Sequence, residues 1–269
     1  MLQPKEERNI SVQNKKYLFF DIDGTIAEND KPPSLAVTEA ISRARENGHK
    51  AYICTARTMC DVYDSLFAAG FDGIIAGAGA QIIAGKREIF HHYIPEELLI
   101  RTVEGFYRHH LSGVLEGTKN IYFVPGEVEL AGRWPRLQGI EEVKKELCIE
   151  KFTIHTFDDG HIDRVLQKMP ELLEDYEMYR NNTGSFAEFV CKGVNKASGI
   201  QKVTAYYGAE PADAVAFGDS MNDAPALKTA GIGVAMGNAP ESLKQCADLT
   251  TGTLWEDGVV QALQKLKLI

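Results

Sequence analysis

Two aspartates separated by one residue, Asp21 and Asp23, stand in the stretch YLFFDIDGT at Tyr17–Thr25. Side chains of an extended chain alternate sides, so both carboxylates project the same way. Held together at a strand end they repel each other unless a cation lies between them. A hard divalent ion such as magnesium relieves that repulsion, because it takes oxygen ligands and needs only one or two carboxylates. A polar turn closed by Gly24 is the competing reading. A second acidic cluster, GDSMND at Gly218–Asp223, directly follows the apolar stretch AVAF. Asp219 falls at the strand end and Asp223 one helical turn later, which puts both carboxylates on one side of a helix start. A simple helix cap would use the same residue types.

These residues must be positioned by the elements around them. Tyr17–Phe20 has the length and aromatic content of a buried strand. After a loop with Pro32 and Pro33, Ser34 is a fitting N-cap for a helix through Asn47, closed by Gly48. Lys50–Thr55 reads as a second strand ending on a hydroxyl, Thr58–Ala69 as a helix closed by Gly70, and Gly73–Ala76 as a third strand. Strands alternating with helices predict a parallel sheet with crossover helices. The pattern then changes. Gln81–His92 looks like a hairpin turning at Ala84–Lys86, and Pro95 opens a helix to about His110. Strand Ile121–Pro125, a charged helix Gly139–Leu147, strand Lys151–Phe157 and a helix Met169–Tyr179 follow. Because these no longer alternate, residues 83–186 are read as an α+β insertion.

Alternation resumes at Phe186–Cys191 and continues through a helix at Asn195–Tyr207, a strand at Ala214–Phe217 and a helix at Met221–Ala230. Strand Gly233–Met236, a helix from Pro240, a short strand near Leu249 and a final helix from Asp257 complete the chain. The expected fold class is α/β, with residues 1–82 and 187–269 building one parallel-sheet core. In such sheets ligands gather outside the carboxyl ends of the strands. Asp21, Asp23, Thr55 and Asp219 are all predicted at such ends, so one pocket could contain all four.

Bulk composition narrows the classes. Of the 269 residues 44% are hydrophobic and 25% charged, ordinary for a soluble chain that buries a core. A formal net charge of -9 argues against a general nucleic-acid binder. It leaves room for an anionic substrate, since charges beyond about 8 Å are largely screened at physiological salt. The 5 cysteines are widely spaced without CxxC, which suggests neither a disulfide framework nor a zinc site. Residues 1–16 lack the pattern of a secretory leader, and no apolar run is long enough to span a membrane. A cytoplasmic protein is the expectation. His91-His92 and His109-His110 lack metal-ligand spacing and read as solvated or capping histidines.

The order DIDGT, Thr55 after an apolar strand, Lys196 in KGVNKASGI, then FGDSMNDAPALKTAGIGVAMGNA resembles the haloacid dehalogenase-like hydrolase superfamily. It is most similar to the Cof-type sugar-phosphatase branch, whose cap is inserted between the second and third motifs. The resemblance implies a Rossmann-like parallel-sheet hydrolase core with residues 83–186 as an α+β cap that selects substrate. It implies Asp21 as nucleophile, forming an aspartyl-phosphate, and Asp23 as general acid and then base, which its carboxylate neighbours would keep protonated. Magnesium would be shared by Asp21, the backbone carbonyl of Asp23 and Asp219, with Asp223 assisting directly or through water. Thr55 and Lys196 would hold phosphoryl oxygens, Lys196 also keeping Asp21 ionised. Asn222 would orient the phosphate or Asp219, or merely start a helix.

Arg57 either reaches the phosphate or substrate body or stays a solvated helix-start charge. The chain departs from the family pattern at Ala78-Gly79-Ala80, where relatives usually carry Asn-Gly-Ala. The implied activity is hydrolysis of small phosphorylated metabolites, above all sugar phosphates, with no nucleic-acid or membrane partner. A sugar phosphomutase, a phosphatase for FMN or pyridoxal phosphate, and a non-catalytic binding protein are the alternatives.

Overall fold

The computed structural model describes residues 15–130, 134–143, 148–156, 159–181 and 185–269. The first five strands are β1 (Tyr17–Phe20), β2 (Lys50–Cys54), β3 (Gly73–Ala76), β4 (Gln81–Ala84) and β5 (Arg87–His91). Five more, β6 (Ser112–Gly117), β7 (Ile121–Val124), β8 (Ile149–His155), β9 (Tyr176–Arg180) and β10 (Phe186–Cys191), precede β11 (Ala214–Gly218), β12 (Ile232–Ala235) and β13 (Leu249–Thr250). An eight-stranded sheet has the order β13-β12-β11-β1-β2-β3-β4-β5, parallel from β13 to β3 and antiparallel over β4 and β5. A five-stranded antiparallel sheet has the order β7-β6-β8-β10-β9.

Every residue of β1 is buried, because the eight-stranded sheet is covered on both faces. Leu18 and Phe20 pack toward helices Leu35–Glu46 and Gly258–Lys265, while Tyr17 and Phe19 pack toward Lys196–Tyr206 and Ala224–Thr229. The five-stranded sheet is two-faced instead. Leu115, Phe152, Ile154, Ala187 and Phe189 join a core with Val103, Phe106, Ile162 and Val165 from helices Glu96–His109 and Asp159–Lys168. The intervening residues, among them Glu116, Lys151, Thr153 and Glu188, form the opposite, polar face.

The structure corrects several sequence expectations. Phe186–Cys191 does not resume the parallel core but pairs with β8 and β9, so the five-stranded sheet runs past residue 186. The hairpin Gln81–His91 stays in the eight-stranded sheet, so residues 83–91 belong there and not to the insertion. Tyr176–Arg180 is a strand, with only Leu172–Asp175 helical before it. Its alternation, YEMYR, suits a pleated surface, and pairing with β10 settles the conformation. Thr58–Ala69 forms two 3₁₀ turns, Met59–Asp61 and Asp64–Ala69, rather than one helix. Arg57 donates to the Asp61 carbonyl, and the Tyr63 hydroxyl donates to the Lys31 carbonyl at 2.7 Å; these bonds hold Val62 and Tyr63 extended.

Ala78 has φ 54°, in the left-handed region where Asn is tolerated better than Ala. The Lys144–Leu147 end of the expected charged helix, Phe157 and residues 1–14 of the leader reading lie outside the described residues. No helix among the described residues is long and apolar enough to cross a membrane.

Candidate active site

Strands β11, β1 and β2 are neighbours in register, so the residues that follow them emerge side by side. Asp21 follows β1 and its N–H donates to the Phe217 carbonyl at 3.1 Å; Thr55 follows β2 and its N–H donates to the Ile75 carbonyl at 2.8 Å. Asp219 follows β11. Lys196 opens the helix Lys196–Tyr206 behind a capping box, in which the Asn195 side chain accepts from the Ser198 N–H and the Ser198 hydroxyl accepts from the Asn195 N–H. Asp223 anchors its own loop: one carboxylate oxygen accepts from the backbone N–H groups of Asp219 at 3.0 Å and Ser220 at 3.1 Å. Gly24 is required at its position. Its φ is +81°, and a Cβ there would lie 2.2 Å from the Asp219 carboxylate.

Lys196 Nζ lies 2.7 Å from Asp21 Oδ1 and 2.6 Å from Asp223 Oδ1, with all three side chains buried. Burial opposes the lysine charge, but Asp21 and Asp223 more than compensate and hold its pKa well above the usual value. Burial also drives Asp21 upward; Lys196 resists, while Asp223 and Asp219 add to the rise. Asp219 is pushed up to about 7, first by burial and then by Asp223. Its Oδ1 also accepts from the Thr25 hydroxyl at 3.4 Å. Asp21, Asp219 and Asp223 each offer an oxygen within 4.8 Å of the others. Three carboxylates around one ammonium leave excess negative charge among hard oxygen donors, which fits a divalent cation such as magnesium.

Asp23 departs from the sequence expectation. Its side chain lies outside the three-carboxylate group and is held by Arg57 through two contacts of 2.8 Å, one to each oxygen. The neighbour that decides its environment is therefore a guanidinium and not the other carboxylates. Arg57 is neither a free phosphate clamp nor a solvated charge, since it also contacts Asp30 at 2.8 Å and Asp61 at 3.6 Å. The Asn222 side-chain amide accepts from the Ser220 hydroxyl at 2.7 Å and donates to Glu188 of β10 at 3.2 Å. Thr55, Asp21, Asp23, Arg57 and Asn222 all line a cavity of about 450 Å³.

The other wall of that cavity escaped sequence reasoning. Glu116, Lys151 and Glu188, from the polar face of the five-stranded sheet, roof it. Lys151 Nζ lies 3.0 Å from Glu116 and 2.8 Å from Glu188, and the Thr153 hydroxyl donates to Glu116 at 2.6 Å. The signal was present in EKFTIH and FAEFVC, where charges alternate with aromatic and apolar residues in strongly strand-forming sequence. Of the paired histidines, His91 bridges Glu88 and Glu150, at 2.9 Å each, and His110 caps a helix in the left-handed conformation.

A family model described as haloacid dehalogenase-like hydrolase matches residues 18–263. The chain belongs to this family. The 5-amino-6-(5-phospho-D-ribitylamino)uracil phosphatase YitU of Bacillus subtilis is 26% identical over 270 residues, covering 94% of this chain and 98% of that protein. A phosphoglycolate phosphatase of Methanopyrus kandleri is 28% identical over 247 residues, covering 91% and 94%. Among solved structures, the subclass IIB sugar phosphatase BT4131 superposes with a TM-score of 0.81 at 27% identity, covering 95% of this chain and all of that one. The fold is accordingly the family's α/β core with its cap, and the chain is an enzyme of the phosphatase type.

Proposed function

We propose that the protein is a magnesium-dependent phosphatase acting on small phosphorylated metabolites, sugar phosphates foremost, through a phosphoaspartyl intermediate on Asp21. The eight-stranded sheet with its helices carries the chemistry, and the five-stranded sheet with its helices is the cap that chooses the leaving group. The observation that carries this reading is the group of buried Asp21, Asp223 and Lys196 with half-buried Asp219, Asp21 standing at the wall of a cavity roofed by the cap sheet. Relatives named as phosphatases over nearly the whole chain support it.

In the first step an Asp21 oxygen attacks phosphorus. The ester P–O bond breaks, and the departing alkoxide takes a proton from Asp23. In the second, water attacks the phosphoaspartate, Asp23 takes its proton, and inorganic phosphate leaves with Asp21 restored. Lys196 offsets part of the burial that pushes Asp21 toward its protonated form, and with Thr55 it holds the phosphoryl oxygens. Magnesium, held by Asp21, Asp219 and Asp223 with the Asp23 carbonyl, would supply the positive charge that lets an anionic nucleophile meet an anionic ester. To transfer a proton, Asp23 must turn from Arg57 toward the leaving oxygen. Arg57 is thereby a positioning residue for Asp23.

A phosphate-release screen over phosphorylated sugars, nucleotides and vitamins tests the proposal. Release that requires magnesium and vanishes in Asp21→Asn supports it. An isomeric sugar phosphate without free phosphate would instead indicate a mutase, and turnover that survives Asp21→Asn would reject the nucleophile.

A further inference from the structure

The cations that line the cavity are already matched by carboxylates. Arg57 is taken by Asp23 and Asp30, Lys151 by Glu116 and Glu188, and Arg180 by Asp163. The Lys151 side chain is 2% exposed, and two of its three donors point at the flanking glutamates. Glu188 is also fixed from the core side by Asn222, so the roof is tied to the loop that carries Asp219 and Asp223. Register explains the arrangement. Glu116 stands directly across from Lys151 on β6 and β8, and Glu188 stands across from Thr153, two residues along on the same face. What the roof offers is carboxylate oxygens with spare lone pairs, flanked by the rings of Tyr179 and Phe186.

Resting on the phosphatase reading, we propose that the Glu116–Lys151–Glu188 triad determines specificity by accepting an uncharged, polyhydroxylated leaving group and refusing one that carries a second anion. The phosphoryl group is held at the floor, and the remaining hydroxyls donate to Glu116 and Glu188. A carboxylate or second phosphate in the same place meets the carboxylate charge of Glu188 and, among the described residues that line the cavity, no unpaired cation. Burial raises the Glu116 carboxyl, whereas Lys151 keeps Glu188 below the usual range against its burial, so at least one roof carboxylate stays charged at neutral pH. A phosphate ester of glycolate is therefore a poor substrate here, although a relative carries the name phosphoglycolate phosphatase.

Matched esters that differ only in the distal group test this: glucitol 6-phosphate against 6-phosphogluconate, and glycerol 3-phosphate against 3-phosphoglycerate. The measured quantity is the ratio of kcat/KM, neutral over acidic, within each preparation, so the folded fraction cancels. The expected ratio is about 100 for the full-length magnesium-loaded enzyme, falling roughly tenfold in Glu188→Gln and in Glu116→Gln. A ratio near unity in the unmodified enzyme overturns the proposal, even if neither variant folds. So does an unchanged ratio in both variants, or hydrolysis of p-nitrophenyl phosphate alone. Release of phosphate from no ester at all overturns the phosphatase reading, and this one with it.

Discussion

Replacing Lys196 by Met keeps most of the length of the side chain and removes the cation buried among three carboxylates. Two charge-assisted contacts disappear, at 2.7 Å to Asp21 and 2.6 Å to Asp223, and Asp219 remains close by. Removing one partner of a buried ion pair costs about 3–5 kcal/mol, because the remaining charge is left uncompensated. For a chain of this size that corresponds to a fall of about 6–20 °C in Tm. The deficit depends on pH, with a definite sign. The folded-state pKa values of Asp21 and Asp219 lie above their unfolded values, so between the two the folded chain binds more protons.

Stability contributed by these two groups therefore rises as pH falls from about 7, the Asp219 value, toward the ordinary carboxylate range. Without Lys196 the repulsion is larger, and so is the relief from protonation. Thermal and urea unfolding in chelator, at pH 8 and at pH 5, should show a full deficit for Lys196→Met at pH 8 and a visibly smaller one at pH 5. A deficit equal at the two pH values, or one below about 1 kcal/mol, would refute the view that this lysine compensates the cluster.

Gly24→Ala should cost about 1–2 kcal/mol from its left-handed backbone alone, and by displacing Asp219 it should also abolish phosphate release; urea unfolding and activity are read together. Asn238 donates to the Gly24 carbonyl at 2.8 Å and accepts from the Leu254 N–H at 3.0 Å. Asn238→Ala should lower stability by about 1–3 kcal/mol and weaken magnesium affinity in calorimetry, because it loosens the turn that seats Asp219. Far from the site, Asp72 pairs with Arg45 at 2.9 Å and Lys50 at 2.6 Å. Burial works against its charge, but Arg45 and Lys50 prevail and depress its pKa. Its stabilising contribution is present above the unfolded carboxylate value and is lost as pH falls through the folded one, so Asp72→Asn should flatten acid unfolding below about pH 4.

Asp21, Thr55, Lys196, Asp219 and Asp223 were legible because each lies where two local signals coincide: the end of an apolar strand, or the start of a capped helix, and a residue able to bind an ion or an oxyanion. The parallel core was legible for the same reason, as strand and helix periodicities alternate cleanly around it. What local pattern cannot supply is a partner. Asp23 meets Arg57 across 34 positions, and nothing in DIDGT tells which way that carboxylate turns. The strand FAEFVC has the same alternation whichever sheet it joins, and only its pairing with β8 and β9 decides. YEMYR follows Pro170 and a helical turn, so its period of two was hidden by a plausible helix start. The roof glutamates and Lys151 come from three strands that are distant in sequence, and their common face exists only once the register is set.

In the proposed site, carboxylates from two separate stretches of chain hold one divalent ion beside the attacking oxygen of Asp21. Crystals grown with manganese in place of magnesium, examined by anomalous diffraction, test it directly. A strong peak bounded by Asp21, Asp219 and Asp223, absent in Asp219→Asn, is the expected result. A peak elsewhere in the molecule, or one that persists unchanged in that variant, would contradict it.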